Sequence, residues 1–143
     1  MPNCVLRAGG EYFDVVQYLA DSSIRACRVF RPGEGKRNGP NWAGFNADVS
    51  KFDVEDIPAQ VRDALMFLEK HHGDLIKLRT LPNAPTMEFD FAASIDYDIP
   101  FPSFHWPVDL LVKMGQLGIE LSVTVYPGDR PAPDSEVEPE GGG

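Results

Sequence analysis

The sequence predicts an α+β domain: a mostly antiparallel five-stranded sheet with three helices packed on one face, in the chain order β-α-β-β-α-β-α-β. Two observations predict the elements. Five segments alternate apolar with polar residues, the period-2 pattern of strands covered on one side. Three others repeat apolar residues at helical spacing between capping residues. A third observation sets the class: no strand candidate is the continuous apolar run of a parallel sheet buried on both faces.

Taken in order, residues 4–8 (CVLRA) form a short strand that ends at Gly9 and Gly10. Asp14 caps a helix in which Val15, Val16, Leu19 and Ala20 recur at helical spacing. Residues 24–31 (IRACRVFR) alternate charged and apolar side chains, with Cys27 and Val29 on one face and Arg25 and Arg31 sharing it, so this strand lies at an edge or carries a bulge. After a glycine- and proline-rich loop, Phe45, Ala47 and Val49 mark the inward side of a third strand, paired as a hairpin to the second.

Pro58 suits the first turn of the longest helix, whose stripe of Val61, Ala64, Leu65 and Leu68 runs to a stop at Gly73. Residues 74–81 add a further turn or a short helix before Pro82. Met87, Phe89, Phe91 and Ala93 alternate with polar or small residues as the clearest strand. A proline- and aromatic-rich connection leads to a helix opened by Pro107 and closed by Gly118, with Leu110, Leu111 and Met114 inward. In the last strand Ile119, Leu121, Val123 and Val125 face in.

The 143 residues make one domain over 1–127, followed by an acidic, proline- and glycine-rich tail over 128–143 that is expected to be disordered. The net charge of −9, from 22 acidic against 13 basic residues, repels phosphate backbones and excludes nucleic acid as the main partner. No apolar stretch reaches the length of a membrane span, and the N-terminal residues lack a basic start before an apolar run, so a cytoplasmic protein without membrane contact is expected. Cys4 and Cys27 lie in strand-like stretches and read as free buried thiols, the alternative being a disulfide between neighbouring strands. No CxxC pair or zinc-finger histidine spacing occurs, so neither a metal nor a cofactor is expected.

Chemistry-bearing patterns are few. The loop GEGKRNG lacks both the spacing and the Ser or Thr of a phosphate-binding loop. Arg25, Arg28, Arg31, Lys36 and Arg37 fall within 13 positions, a local positive patch that either meets an anionic ligand or acidic partner or guards a strand edge. His71 and His72 are adjacent on a helix, with rings about 100 degrees apart, and suit its C-terminal dipole without sharing a metal. His105, near Asp96 and Asp98 and beside Trp106, is the histidine placed for a His-Asp general base or weak metal site; the alternative is a loop packed by Tyr97, Phe101, Phe104 and Trp106. No GxSxG occurs, and neither cysteine lies close in sequence to a histidine. Trp42, Phe45, Phe101, Phe104 and Trp106 cluster in or beside two loops, where large aromatics anchor interfaces or plug the open end of a core.

The run LLVKMGQLGIELSVTVY, the earlier FDVVQYLADSSI and the tryptophan in GPNWAGF resemble the closing helix-strand unit, opening helix and central hairpin of a family of small bacterial domains of unknown function. The likeness covers most of residues 4–126. It implies a compact accessory domain, some relatives of which look like antitoxin or immunity partners encoded beside toxins. The expectation is therefore a non-enzymatic protein-binding module that holds a protein partner through its acidic surface or its aromatic loops. The alternative is a small-ligand or metal-binding protein or enzyme with a site near Asp96, Asp98 and His105.

Overall fold

The computed structural model describes residues 2–34, 38–99 and 103–128. The elements run β1 (Val5–Glu11), α1 (Val15–Ala20), β2 (Arg28–Phe30), β3 (Trp42–Asp48), α2 (Ile57–Lys70), α3 (His72–Arg79), β4 (Thr86–Ile95), α4 (Val108–Gln116) and β5 (Ile119–Pro127). The five strands form one sheet in the order β2-β3-β1-β4-β5. The α+β class stands, and two finer expectations change.

First, the sheet is mixed. The β1–β3, β1–β4 and β2–β3 pairings are antiparallel, but β4 and β5 are parallel from Met87↔Ile119 to Ile95↔Pro127. The α4 crossover carries the chain back to the starting end of β4 before β5 begins, which only a parallel neighbour permits. Second, there are four helices among the described residues. Backbone angles of −108 and 20 degrees at His71 end α2 and start α3 at one residue, so Gly73 lies inside α3 instead of stopping α2.

Local chemistry explains most boundaries. Asp14 Oδ1 accepts from the Gln17 N–H at 3.2 Å and Asp56 Oδ1 from Ala59 at 3.0 Å, satisfying donors that a helix start leaves open. Gly118, at φ +72, closes α4 in a conformation that costs glycine little. β2 is shorter than expected, since residues 24–27 are irregular; Ile24 is buried there, whereas Cys27 is exposed. The buried-thiol expectation therefore holds for Cys4 alone, and both cysteines are free. β1 does not stop at Gly9 and Gly10 but runs through them.

Cross-strand partners share a face, so the register sorts the side chains. Leu6, Ala8, Ala43, Phe45, Ala47, Met87, Phe89 and Phe91 point to one face and are buried beneath the helices. They meet Val61, Ala64, Phe67 and Leu68 of α2, Leu75 and Leu78 of α3, and Leu110 and Met114 of α4 in one core. The Phe89 ring sits edge-on to Phe67 at 5.9 Å and to Phe91 at 6.3 Å, and each such side chain stabilises the fold by about 1.5–3 kcal/mol through burial. Phe45, expected among the loop aromatics, belongs to this core.

The outer edge departs from expectation. Leu121 and Val125 share the helix-side face but remain 42% and 45% exposed, and Leu111, expected inward on α4, is 40% exposed. Only Leu110, Met114 and Leu117 of that helix region reach the core, because α4 sits between α2 and β5 and does not overhang the last strand. No helix among the described residues is long and apolar enough to cross a membrane.

Candidate functional site

No described helix packs on the opposite face of the sheet, and its residues are arranged in detail. By register it carries Arg28 and Phe30 of β2, Trp42, Gly44 and Asn46 of β3, Arg7 and Gly9 of β1, Glu88 and Asp90 of β4, and Glu120 and Thr124 of β5. Gly9 and Gly44 are direct partners, and the Trp42 indole lies across both. A Cβ on Gly9 would stand 2.1 Å from Trp42 Cζ2, and one on Gly44 2.6 Å from Cη2. Two glycines thus form a floor on which a half-exposed tryptophan rests flat, outside the core. Phe30 packs beside it at 6.0 Å between ring centroids, and the Arg28 guanidinium sits 4.7 Å above the Phe30 ring.

Next to the aromatics, Arg7 Nη2 pairs with Asp90 Oδ2 at 3.1 Å, and Thr124 Oγ1 donates to Asp90 Oδ1 at 2.8 Å. Asp90, with a 9% exposed side chain, thus has both carboxylate oxygens partnered on the sheet. Oriented to satisfy both its amide groups, Asn46 accepts from Arg7 Nη1 at 3.2 Å. Glu88 and Glu120 are register neighbours on β4 and β5. The depression bounded by Arg7, Phe30, Trp42, Asn46, Glu88 and Glu120 holds about 310 Å³. With Arg7 committed to Asp90, its uncompensated charge is negative, at the Glu88–Glu120 end.

The sequence-selected residues scatter. Asp96, Asp98 and His105 do line one cavity of about 730 Å³, together with Tyr97, Ser103, Phe104 and the N-terminal turn of α2 at Ile57 and Pro58. Within it the Asp98 N–H donates to Asp96 Oδ1 at 2.9 Å, and Ser103 Oγ lies 3.3 Å from His105 Nε2. Among the described residues, no three His, Cys, Asp or Glu side chains converge to hold a metal. Trp106 packs on the core, 5.5 Å from Phe91, and its enclosed Nε1–H has no partner among the described residues.

The arginines do not form one patch. Arg28 belongs to the helix-free face, whereas Arg25 lines a cavity of about 520 Å³ with Ser23, Asp48, Asp63, Glu69 and His71. Arg31 lies just beyond β2, its N–H held by Glu34 Oε1 at 2.8 Å. Lys36 and Arg37, like Phe101 and the tail from 129 onward, lie outside the described residues.

Sequence reasoning missed a Ser-His-Asp grouping, because its members are 48 and 51 positions apart. Ser23 Oγ is 2.8 Å from His71 Nδ1 and donates to Asp74 Oδ2, and the Ser23 N–H donates to the same oxygen at 3.1 Å. The order is not that of a catalytic triad, in which histidine stands between serine and acid. Here the hydroxyl stands in the middle and gives its single proton to Asp74, so Nδ1 must carry a hydrogen and cannot take the serine's. Burial, with Lys70 next in effect and Asp74 opposing, pulls the His71 imidazole below its usual value of 6.5. The Ser23 hydroxyl, aided by its N–H and by the His71 and Lys77 charges against a burial cost, holds Asp74 below 3.8. Tyr18 adds a bond from its hydroxyl to the Asp74 carbonyl at 2.7 Å. The cluster staples the α1–β2 turn to the α2–α3 junction.

Comparison with family models, with curated proteins and with solved structures finds no match to this chain.

Proposed function

We propose that the chain is a non-enzymatic protein-binding module that uses the helix-free face of its sheet, with Trp42 as anchor. One observation carries this reading: two glycines in adjacent strands clear a seat for a tryptophan outside the core. Folding alone gains little from such a seat, whereas a rigid, half-exposed indole beside Phe30 is the large anchor that interfaces favour. Glu88 and Glu120, on a chain of net charge −9, select a partner segment with basic side chains, and a lysine or arginine can stack on the indole while meeting the carboxylates. An immunity or antitoxin role, as the resemblance implies, is one form this takes.

The test compares short fluorescent peptides alternating lysine, neutral or glutamate residues with small apolar ones, titrated with the wild-type chain and with Trp42→Ala. Binding of the basic peptide alone, weakened about 30-fold by Trp42→Ala and reduced by salt, supports the reading. A folded Trp42→Ala variant that binds as well as wild type excludes it.

A second reading has its own observation, the cavity that collects Asp96, Asp98 and His105. There the chain holds a small polar molecule. A rise in melting temperature with small polar metabolites, lost in His105→Ala with Asp98→Ala, supports it; no rise across the screen removes it.

A further inference from the structure

The two edges of the sheet are built differently. β2 has three residues, carries the exposed Arg28 and is flanked by the exposed Arg25 and Arg31, the devices by which proteins prevent strand-to-strand association. β5 is the opposite edge, has nine residues and bears one charge, Glu120. Among the described residues nothing pairs with its outer side. Its helix-side row is wet at Leu121 and Val125, which are 42% and 45% exposed.

The apolar surface continues onto α4. At 100 degrees per residue, Leu110, Met114 and Leu117 form the inward line, and Lys113 and Gln116 turn to one flank, where they line a groove with Leu68, Glu69 and His72. Leu111 turns to the other flank, and Val108 and Val112 lie on the outer side of the helix, opposite the inward line. They are 40%, 74% and 49% exposed. A long, weakly charged free edge bordered by such a strip is unfavourable for an isolated monomer.

We infer that β5 pairs antiparallel with β5 of a second copy about a two-fold axis through Val123, joining two five-stranded sheets into one of ten strands. The strand's own sequence selects this occupant. Centring the pairing on Val123 gives the inner seven residues compatible neighbours and leaves Ile119 opposite Pro127 at the two ends. Leu121 faces Val125 of the other copy, Val123 faces itself, Ser122 faces Thr124, and Glu120 faces the Tyr126 phenol. The two Glu120 carboxylates stand six residue steps apart, about 20 Å, so like charges are not opposed. The chain's own C-terminal segment is a poorer occupant: Pro131, Pro133 and Pro139 each remove a ladder donor, and its other residues are mostly acidic or glycine, which suit a strand poorly. An isologous interface also gives both copies the same surface, and the two Trp42 faces stay free on one side of the joined sheet.

Sedimentation equilibrium of the full chain over a range of concentrations tests the inference. A monomer–dimer equilibrium is expected that tightens as salt rises, because each copy carries −9 and the contact is apolar; a basic partner would behave oppositely. Leu121→Lys and Val125→Glu, both at exposed positions, should each weaken the dimer by about tenfold or more. Combining them should restore it, because the introduced lysine of one copy faces the introduced glutamate of the other. A monomer at all concentrations, single variants without effect, or a double variant as weak as the singles overturns the inference. So does a monomer in which the outward β5 amides are protected from hydrogen exchange, since the chain then covers its own edge. None of these results touches the Trp42 reading, which peptide binding decides separately.

Discussion

The carboxamide of Gln60 stands in for a missing strand beside Ala92. Its Nε2 donates to the Ala92 carbonyl at 2.9 Å, and its Oε1 accepts from the Ala92 N–H at 3.1 Å. β1 begins opposite Asp90 at Val5, while β4 runs on to Ile95, so the Ala92 main chain faces no strand on that side. A fully buried glutamine from α2 supplies both missing bonds and also donates to the Asp53 carbonyl at 2.6 Å. Gln60→Leu keeps the volume but strands a buried N–H and C=O, and should cost about 2–4 kcal/mol. Urea unfolding measures it; a loss below about 1 kcal/mol would mean that water replaces the carboxamide.

The glycine seat predicts a strong coupling. Gly9→Ala places a methyl group into the Trp42 ring, so it should cost about 1–3 kcal/mol and dislodge the indole. In a Trp42→Ala background the same change should cost little. A double-mutant cycle from melting or urea curves reads the difference, and additive effects would show that the two residues do not compete for space.

Acid should act on the Ser23–His71–Asp74 staple in two stages. His71 has its folded value below 6.5, so the unfolded chain takes up the proton first, and stability falls as pH drops through about 6.5. Asp74, also lowered, contributes stability that is present above its ordinary 3.8 and lost as pH falls below it. Unfolding free energies between pH 8 and pH 3 should show both, and His71→Gln should remove the upper one. A flat curve between pH 7.5 and pH 5.5 in the wild type would contradict this.

The thiols should differ in reactivity. Cys27 is exposed, although partial burial, with Asp48 assisting, raises its pKa; Cys4 is enclosed, and burial with Asp90 and Asp63 raises its pKa strongly. A disulfide-exchange reagent should titrate one thiol in the native chain and two after denaturation. Two native thiols of equal rate would place Cys4 in a region that opens readily.

Much of the helix-side core was legible because period and composition act locally. The alternation of Met87, Phe89, Phe91 and Ala93 named the longest strand and its buried face, and Asp14, Pro58, Pro107 and Gly118 marked helix ends through backbone preferences and bonds that act within one turn. The helix break at His71 was only half legible, since its angles answer to packing of Leu75 and Leu78 and to the bond between its Nδ1 and Ser23 Oγ. The candidate surface was least legible. Gly9 read as a strand end and Gly44, with Trp42, as part of the turn before the third strand, although β3 begins at Trp42, and nothing local shows that Trp42 will lie across both glycines. Even the period-2 rule misled at β5, where it stated which side Leu121 and Val125 take but not whether a helix reaches over them.

By itself the sequence determined the α+β class, the alternation of the main strands, the caps and a strongly acidic surface, because these depend on neighbours within a turn or a strand. Tertiary structure alone decided the parallel seating of β5, the Gln60 bridge, the Trp42 seat and the linkage of Ser23 to His71 and Asp74. Each joins groups that are distant along the chain, and their contact depends on strand order and register, which local preference does not encode.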